Sequence, residues 1–276
     1  MEKRKLGTSD IEVSRVILGA WAIGGGMWGG TDVERSIETI RASLDAGVTT
    51  IDTAPAYGFG LSEEIVGRAI AGRRNEVVIA TKCGLRWDRD DGAFRFELPT
   101  PEGGVARIHH NLKPDSIREE CEASLRRLRT DHIDLYQIHW PDPIHPLEDS
   151  LAELVRLRDE GKVRAIGVSN FSVPELETAL SEASIVSDQP QYNLLDRRIE
   201  KDVLPWCRAH DVGVICYSPM ARGLLTGKIA VDHQFPETDH RKAVPWFERA
   251  FRQKVADALE TIRPISTAHG VSLGNL

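Results

Sequence analysis

Short β-type runs alternate with amphipathic stretches along most of this chain. Apolar or β-branched runs fall at 16–18, 50–52, 77–81, 133–138, 165–168, 186–189 and 213–217. Between them, apolar residues recur at helical spacing behind starting signals: Thr31/Asp32 before 33–45, Ser62 before 63–71, Pro114/Asp115 before 117–127, Pro146 before 147–160, and Ser172/Pro174 before 175–181. Gly47 and Gly161 stand just past two of these helices, where a left-handed cap is needed. Residues 3–6 and 11–13, either side of Gly7-Thr8-Ser9-Asp10, predict a small hairpin. Seven strand–helix units in a row predict an α/β fold, a (β/α)8 TIM barrel whose floor is plugged by the N-terminal β-hairpin, in one domain over 1–276. An eighth strand is not recognisable. Residues 270–276 read like the opening of another helix, so the last strand and helix are expected to be missing from the sequence, since open first and seventh strands would keep unpaired edges. The widest gap between strands, 83–113, is polar and aromatic and predicts an insertion lying over the barrel mouth.

With 276 residues, 41% hydrophobic and 28% charged, the chain is long enough for one large core. A net charge of −7 argues against nucleic acid or an anionic membrane as partner. No apolar run approaches the ~18–20 residues of a membrane span, and the N-terminus lacks the apolar core of a signal peptide, so a cytoplasmic protein is expected. Cys83, Cys121, Cys207 and Cys216 show no C-x-x-C spacing and read as buried free thiols.

Strand tips that carry polar groups are where parallel α/β enzymes place their chemistry. In order, the tips here carry Asp52 with Tyr57 in the loop beyond it, Lys82 directly after its strand, His139 followed by Trp140, Ser169-Asn170, Gln191, and Tyr217-Ser218-Pro219. Singly, each has a bland explanation: Lys82 a solvated rim charge, His139 a hydrogen-bonded core imidazole, Ser169 and Asn170 a helix cap. Together they set an acid, a phenol, an amine and an imidazole on three consecutive tips of one mouth. A phenol is a weak acid at neutral pH, but an adjacent ammonium lowers its pKa. Lys82 would supply that ammonium, kept charged and oriented by Asp52. Tyr57 could then donate a proton to a carbonyl oxygen as it gains charge, while His139 hydrogen-bonds the same oxygen. A proton donor for a developing alkoxide implies a hydride source, and a nicotinamide is the natural one. Tyr217 is flat enough to stack on such a ring, and Ser169, Asn170 and Gln191 offer the donors and acceptors of a carboxamide site.

The motifs that carry a resemblance are Leu18-Gly19-Ala20-Trp21, Ile51-Asp52-Thr53-Ala54-Pro55-Ala56-Tyr57-Gly58, Ala80-Thr81-Lys82, Asp134-Leu135-Tyr136-Gln137-Ile138-His139-Trp140-Pro141, Gly167-Val168-Ser169-Asn170-Phe171, Gln189-Pro190-Gln191-Tyr192-Asn193 and Tyr217-Ser218-Pro219, followed by Arg222-Gly223-Leu224-Leu225-Thr226-Gly227-Lys228. In this order and spacing the sequence resembles an aldo-keto reductase from the first strand to the last residue. It is similar to the bacterial branch of general-stress and inositol-utilisation reductases. The resemblance implies NADPH-dependent reduction of aldehydes and some ketones, reversible with alcohols, with the family tetrad on Asp52, Tyr57, Lys82 and His139. It also puts Ala20, Trp21, Asp52, Ser169, Asn170, Gln191, Tyr217, Ser218, Pro219, Met220, Arg222, Gly223 and Leu224 at positions the family uses for its cofactor, NADPH/NADP+. The family holds the 2′-phosphate with a segment after strand eight, and this sequence stops short of it. Trp21, Trp28, Tyr57, His139 and Trp140 read as walls of a pocket for a small carbonyl substrate.

Two rivals stay open at this level. One is a cofactor-sensing regulatory subunit with little turnover, since this fold also serves ion-channel β subunits. The other is a barrel isomerase using Tyr57 and His139 without nicotinamide. A literal G-x-G-x-x-G at Gly24, Gly26 and Gly29 does not open a helix directly after a strand, so 24–30 reads instead as a mobile loop bringing Trp28 over the mouth. Arg126-Arg127-Leu128-Arg129 reads as the solvated end of a helix. His109 and His110 would point in opposite directions in any regular structure, which does not suit a metal site.

Overall fold

A computed structural model describes residues 1–100 and 102–276 and places a hairpin first, β1 (Lys3–Lys5) against β2 (Glu12–Ser14). The chain then lays down β3 (Leu18–Gly19), β4 (Thr50–Asp52) and β5 (Val78–Cys83). An insertion of three antiparallel strands follows: β6 (Leu85–Arg86), β7 (Ala93–Pro99) and β8 (Val105–His110). The parallel series resumes with β9 (Ile133–Ile138), β10 (Val163–Val168), β11 (Ser187–Asp188) and β12 (Gly213–Val214). Seven strands form one parallel sheet in the order β12-β11-β10-β9-β5-β4-β3, so spatial neighbours are sequence neighbours apart from the insertion. That order belongs to a barrel wall, because a doubly wound sheet would reverse its order partway. Among the described residues β3 and β12 end the sheet without pairing with one another.

The helices between these strands are α1 (Val33–Asp45), α2 (Leu61–Ala69), α3 (Pro114–Leu128), α4 (Leu147–Asp159), α5 (Val173–Ala183) and α6 (Val203–Ala209), with α7 (Arg249–Ala268) near the end. Several start where a side chain caps their free N–H groups or a proline removes one. Asp32 accepts from the Arg35 N–H at 3.1 Å, Pro114 opens α3, and the Glu175 carboxylate accepts the Ser172 N–H at 2.7 Å. Gly47 and Gly161 carry the predicted left-handed conformation, at φ +86° and +77°. The faces spaced at three and four residues are the buried ones, Ile37, Ile40 and Leu44 in α1 and Ile117, Cys121, Ser124 and Leu128 in α3. They pack on outward-facing strand residues such as Ile79, Tyr136 and Ile166.

The inward faces alternate with these and change character along the barrel. Near the floor they are apolar: Ala80, Leu135 and Ala165 close around Leu6, Ile11 and Val13 of the hairpin, with Val186 and Ile215 completing the ring. Two positions further along β5 and β9 the inward residues are Lys82 and Gln137, and Asp52, in register with Ala80 at the end of β4, joins them through its ion pair with Lys82. The plug therefore seals one end while a polar layer faces the other.

Several expectations change. Lys82 lies within β5, one residue before its end, and is wholly buried, because β5 continues to Cys83 to pair with Ile138. The 83–113 insertion is a three-stranded sheet whose apolar side, Leu85, Leu98 and Ile108, packs against Ala56, Phe59, Met27 and Trp140. β11 and β12 are shorter than predicted because Pro190 offers no N–H, and pairing resumes only as the Gln191–Tyr217 bridge. Cys216 lies past the end of β12 and is exposed, unlike the three other cysteines. Residues 270–276 make a single 3-10 turn, Leu273–Asn275, in place of a helix start. The helices α6 and α7 were not anticipated. No helix among the described residues is long and apolar enough to cross a membrane.

Candidate active site

The polar layer is built around Lys82. Its ammonium donates to Asp52 Oδ1 at 2.6 Å, to the Thr53 carbonyl at 2.9 Å and to the Tyr57 hydroxyl at 3.3 Å. The second Asp52 oxygen accepts from Gln189 Nε2 at 2.8 Å and Gln137 Nε2 at 3.2 Å. A buried charge pair persists only when its remaining lone pairs and protons are also matched, and here they are. Gln137 and Gln189 were missed as site residues. Period-two counting inward from His139 and Gln191 points to both, and Gln137 is the register partner of Lys82.

Tyr57 is set by the loop after β4. Its N–H closes a turn onto the Ala54 carbonyl, and its backbone passes so close to Gly24 that a Cβ there would meet the Tyr57 carbonyl carbon at 2.6 Å. Gly24 is thus a contact residue, and the 24–30 segment is tied down: Trp28 bridges Asp239 through its backbone, and its ring meets Trp21 at 5.1 Å and His240 at 4.6 Å. Trp28 is thus held beside Trp21, next to the pocket. Trp21 lies 6.2 Å from the Tyr57 ring and forms the nearer wall. On the other side the His139 ring stands edge-on to Tyr57 at 5.7 Å. The His139 backbone is fixed at both ends, its N–H on the Cys83 carbonyl and its carbonyl on Asn170 Nδ2. All four predicted chemical groups therefore meet, although they come from three different strand ends.

Their proton affinities follow from burial and charge. Burial alone would lower the Lys82 pKa, but Asp52 and Tyr57 hold it above the ordinary value, so Lys82 stays an ammonium. Burial drives the His139 pKa well below its usual range, helped by Lys82, Arg95 and His110, so the imidazole is neutral. For Tyr57 the sequence-based expectation is corrected. Burial raises its pKa and Asp52 adds to this, together outweighing the lowering by Lys82.

The predicted cofactor positions separate into two groups. Ala20 is wholly buried, its N–H on the Asp52 carbonyl, and Ser169 is buried with its hydroxyl donating to the Gln189 carbonyl at 2.6 Å. Both brace the site from behind. Leu224 is likewise buried. Asn170, Gln191, Tyr217 and Ser218 remain partly open, and Pro219 and Met220 are exposed. Asn170 ties this rim together, accepting from the Tyr217 hydroxyl at 2.9 Å. The chain then turns through left-handed Arg222 and Gly223, which brings the Arg222 guanidinium over the Trp21 ring at 5.4 Å. The buried Arg222 Nε has no hydrogen-bond partner among the described residues. An unspent cation beside an open aromatic rim fits an anionic, ring-bearing cofactor. Among the described residues no group of three or more His, Cys, Asp or Glu is placed to hold a metal.

Two further groups steady the site from outside the barrel. Arg127, predicted as solvated, instead donates to wholly buried Glu63 at 2.7 Å, and Glu63 accepts from Thr81 at 2.6 Å, next to Lys82. Glu120 accepts the Gly84 N–H at 2.7 Å, just past β5. Burial pushes its pKa up to about 8. The folded state then holds a proton that the unfolded state releases from about pH 4.5, so stability falls as pH rises through that window. Glu120→Gln keeps an acceptor for Gly84 without the charge. It should be more stable than the parent by roughly 2–4 kcal/mol at pH 8.5 and nearly equal at pH 4.5 in urea unfolding. A gap that does not vary with pH would refute this account.

Comparison with known proteins follows the same lines. The model of the Aldo/keto reductase family matches residues 15–276. Aldo-keto reductase YhdN of Bacillus subtilis is 45% identical over 279 aligned residues, covering 100% of this chain and 80% of its relative. An NADH-specific methylglyoxal reductase of Escherichia coli is 41% identical, covering 100% and 84%. Among solved structures, a glycerol dehydrogenase from Gluconobacter oxydans superposes with a TM-score of 0.86 at 43% identity, over 98% of this chain and 80% of that one. With its parallel β/α barrel wall and its Asp52–Lys82–Tyr57–His139 cluster, this chain belongs to the aldo/keto reductase family of oxidoreductases.

Proposed function

We propose that this protein reduces small aldehydes and ketones to alcohols with NADPH, Tyr57 being the proton donor. The observation that carries the reading is the Tyr57 hydroxyl 3.3 Å from a buried, carboxylate-paired Lys82 ammonium, with the neutral His139 ring beside it. A bound nicotinamide would supply the hydride. The chain supplies the rest. Its raised pKa keeps Tyr57 protonated throughout the neutral range, ready to give up its proton as a carbonyl oxygen becomes an alkoxide. Lys82 stabilises the phenolate left behind, and Asp52 keeps Lys82 charged. Neutral His139 can donate a hydrogen bond to the same oxygen without itself losing a charge. Trp21 and Trp140 wall the site from water, and Arg222 with Tyr217 would hold the cofactor. The setting we propose is a single barrel domain in the cytoplasm, with a small carbonyl compound as its partner.

The test is NADPH oxidation with benzaldehyde or methylglyoxal, together with fluorescence titration of NADPH and NADH. Turnover, and a lower Kd for NADPH than for NADH, are expected. One relative is named as NADH-specific, so the two titrations decide the cofactor, and equal constants would remove the NADPH preference. Tightly held cofactor with negligible turnover would replace the enzyme by a sensor. Binding of neither nucleotide would remove both readings.

A further inference from the structure

Arg95 takes no part in the proton transfer, yet the insertion brings its guanidinium to the same opening. It extends from β7 and lies over the Trp140 ring at 4.2 Å, next in sequence to His139. Its surroundings reach the chemistry directly: Arg95 and His110 both help to keep His139 neutral, and Tyr217 acts back on Arg95. Arg86, Arg89, Arg127 and Arg164 each have a carboxylate partner within 3.0 Å. Half-buried Arg95 pairs with no carboxylate among the described residues, and its one side-chain hydrogen bond there runs from Nη1 to His110 Nε2 at 2.7 Å. A guanidinium has five N–H donors in a planar fork, so most of this fork is unspent. His110, accepting through Nε2, must carry its proton on Nδ1, and that buried nitrogen has no partner either. Desolvating a cation and a ring N–H without a matching acceptor costs free energy unless something else supplies one.

We propose that Arg95 and His110 form the anion-binding end of the substrate pocket, so that the preferred carbonyl compounds carry a carboxylate at the end away from the reacting C=O. The inference rests on the carbonyl-reductase reading of the same pocket. It assigns Arg95 and Arg222 different tasks. Arg222, stacked on Trp21, faces the rim proposed for cofactor, whereas Arg95, stacked on Trp140, faces the substrate side. A carboxylate meeting the open fork in two-pronged fashion would orient the substrate along the line from Trp140 to Tyr57.

The experiment measures kcat/KM for 4-carboxybenzaldehyde and for benzaldehyde with the full chain and with Arg95→Met and Arg95→Lys. The parent should favour the carboxylated aldehyde. In Arg95→Met the ratio of the two constants should fall about tenfold or more, chiefly through KM, with partial recovery in Arg95→Lys, which keeps the charge but not the fork. A parent with no preference, or a ratio unchanged in Arg95→Met, overturns the proposal. If Arg95→Met does not fold, Arg95→Lys carries the same comparison with a smaller drop. Calorimetric titration with benzoate in the presence of NADP+ separates this inference from the reading beneath it. Should neither aldehyde be turned over, the reductase reading fails and benzoate alone decides: binding weakened tenfold by Arg95→Met upholds the anion site, and no binding to the parent removes it.

Discussion

Tyr57→Phe should lose at least a thousandfold in kcat while binding NADPH as the parent does. The substitution deletes one oxygen and keeps the ring that meets Trp21 and His139. Lys82 retains its shorter bonds to Asp52 and the Thr53 carbonyl, so the buried charge is still matched and the fold should change by less than about 1 kcal/mol. What disappears is the group that can pass a proton to the carbonyl oxygen, a contribution of roughly 10²–10⁴ in rate, joined here by the loss of the ammonium's route to that oxygen. Steady-state kinetics, cofactor titration and thermal melting on the one variant separate these effects. Activity within tenfold of the parent would end the case for Tyr57 as the donor.

Asp52→Ala should be the most damaging single change to stability in the site. It strips the carboxylate from an ammonium that is 0% exposed and also takes the acceptor from the Gln137 and Gln189 amides. Breaking a buried pair from one side costs about 3–5 kcal/mol, because the surviving charge has neither water nor a counter-ion. Without Asp52, burial would dominate Lys82 and pull its pKa down, so catalysis should fall at least a hundredfold as well. The double variant Asp52→Ala/Lys82→Met removes both charges. It should regain a large part of the lost stability in urea unfolding, yet remain inactive. A double variant no more stable than Asp52→Ala would show that the penalty has another source.

Both predictions turn on side chains whose meeting was legible in the chain. Asp52, Lys82 and His139 each fall at or next to the end of a β-type run, and strands laid side by side in sequence order bring such ends to one rim. The fold was readable for the same reason. The alternation of two-residue and 3.6-residue periods, with Asp32, Pro114 and Gly47 as punctuation, is local and is set by backbone geometry. The insertion was visible as a gap in that alternation, but not as a sheet. Its strands are held by contacts with Ala56, Phe59 and Trp140, from segments on either side of it.

The rest depends on distances between residues remote in sequence. Gln137 and Gln189 looked like ordinary strand residues until the barrel closed them onto Asp52. Arg127 carried the pattern of a solvated helix end, yet α2 presents buried Glu63 to it. The direction of the Tyr57 pKa could not be taken from the presence of Lys82, because burial and Asp52 oppose that ammonium and only their positions say which prevails. By itself, then, the sequence determined the order of the parallel barrel strands, the polar groups at the barrel mouth and the family to which they belong. The tertiary structure alone decided which of those groups touch, which are cut off from water, and that Arg95 and Arg222 at the mouth meet no carboxylate among the described residues. Periodicity and capping act between near neighbours along the chain, whereas desolvation and Coulomb interaction act through space and depend on everything the fold packs around a charge.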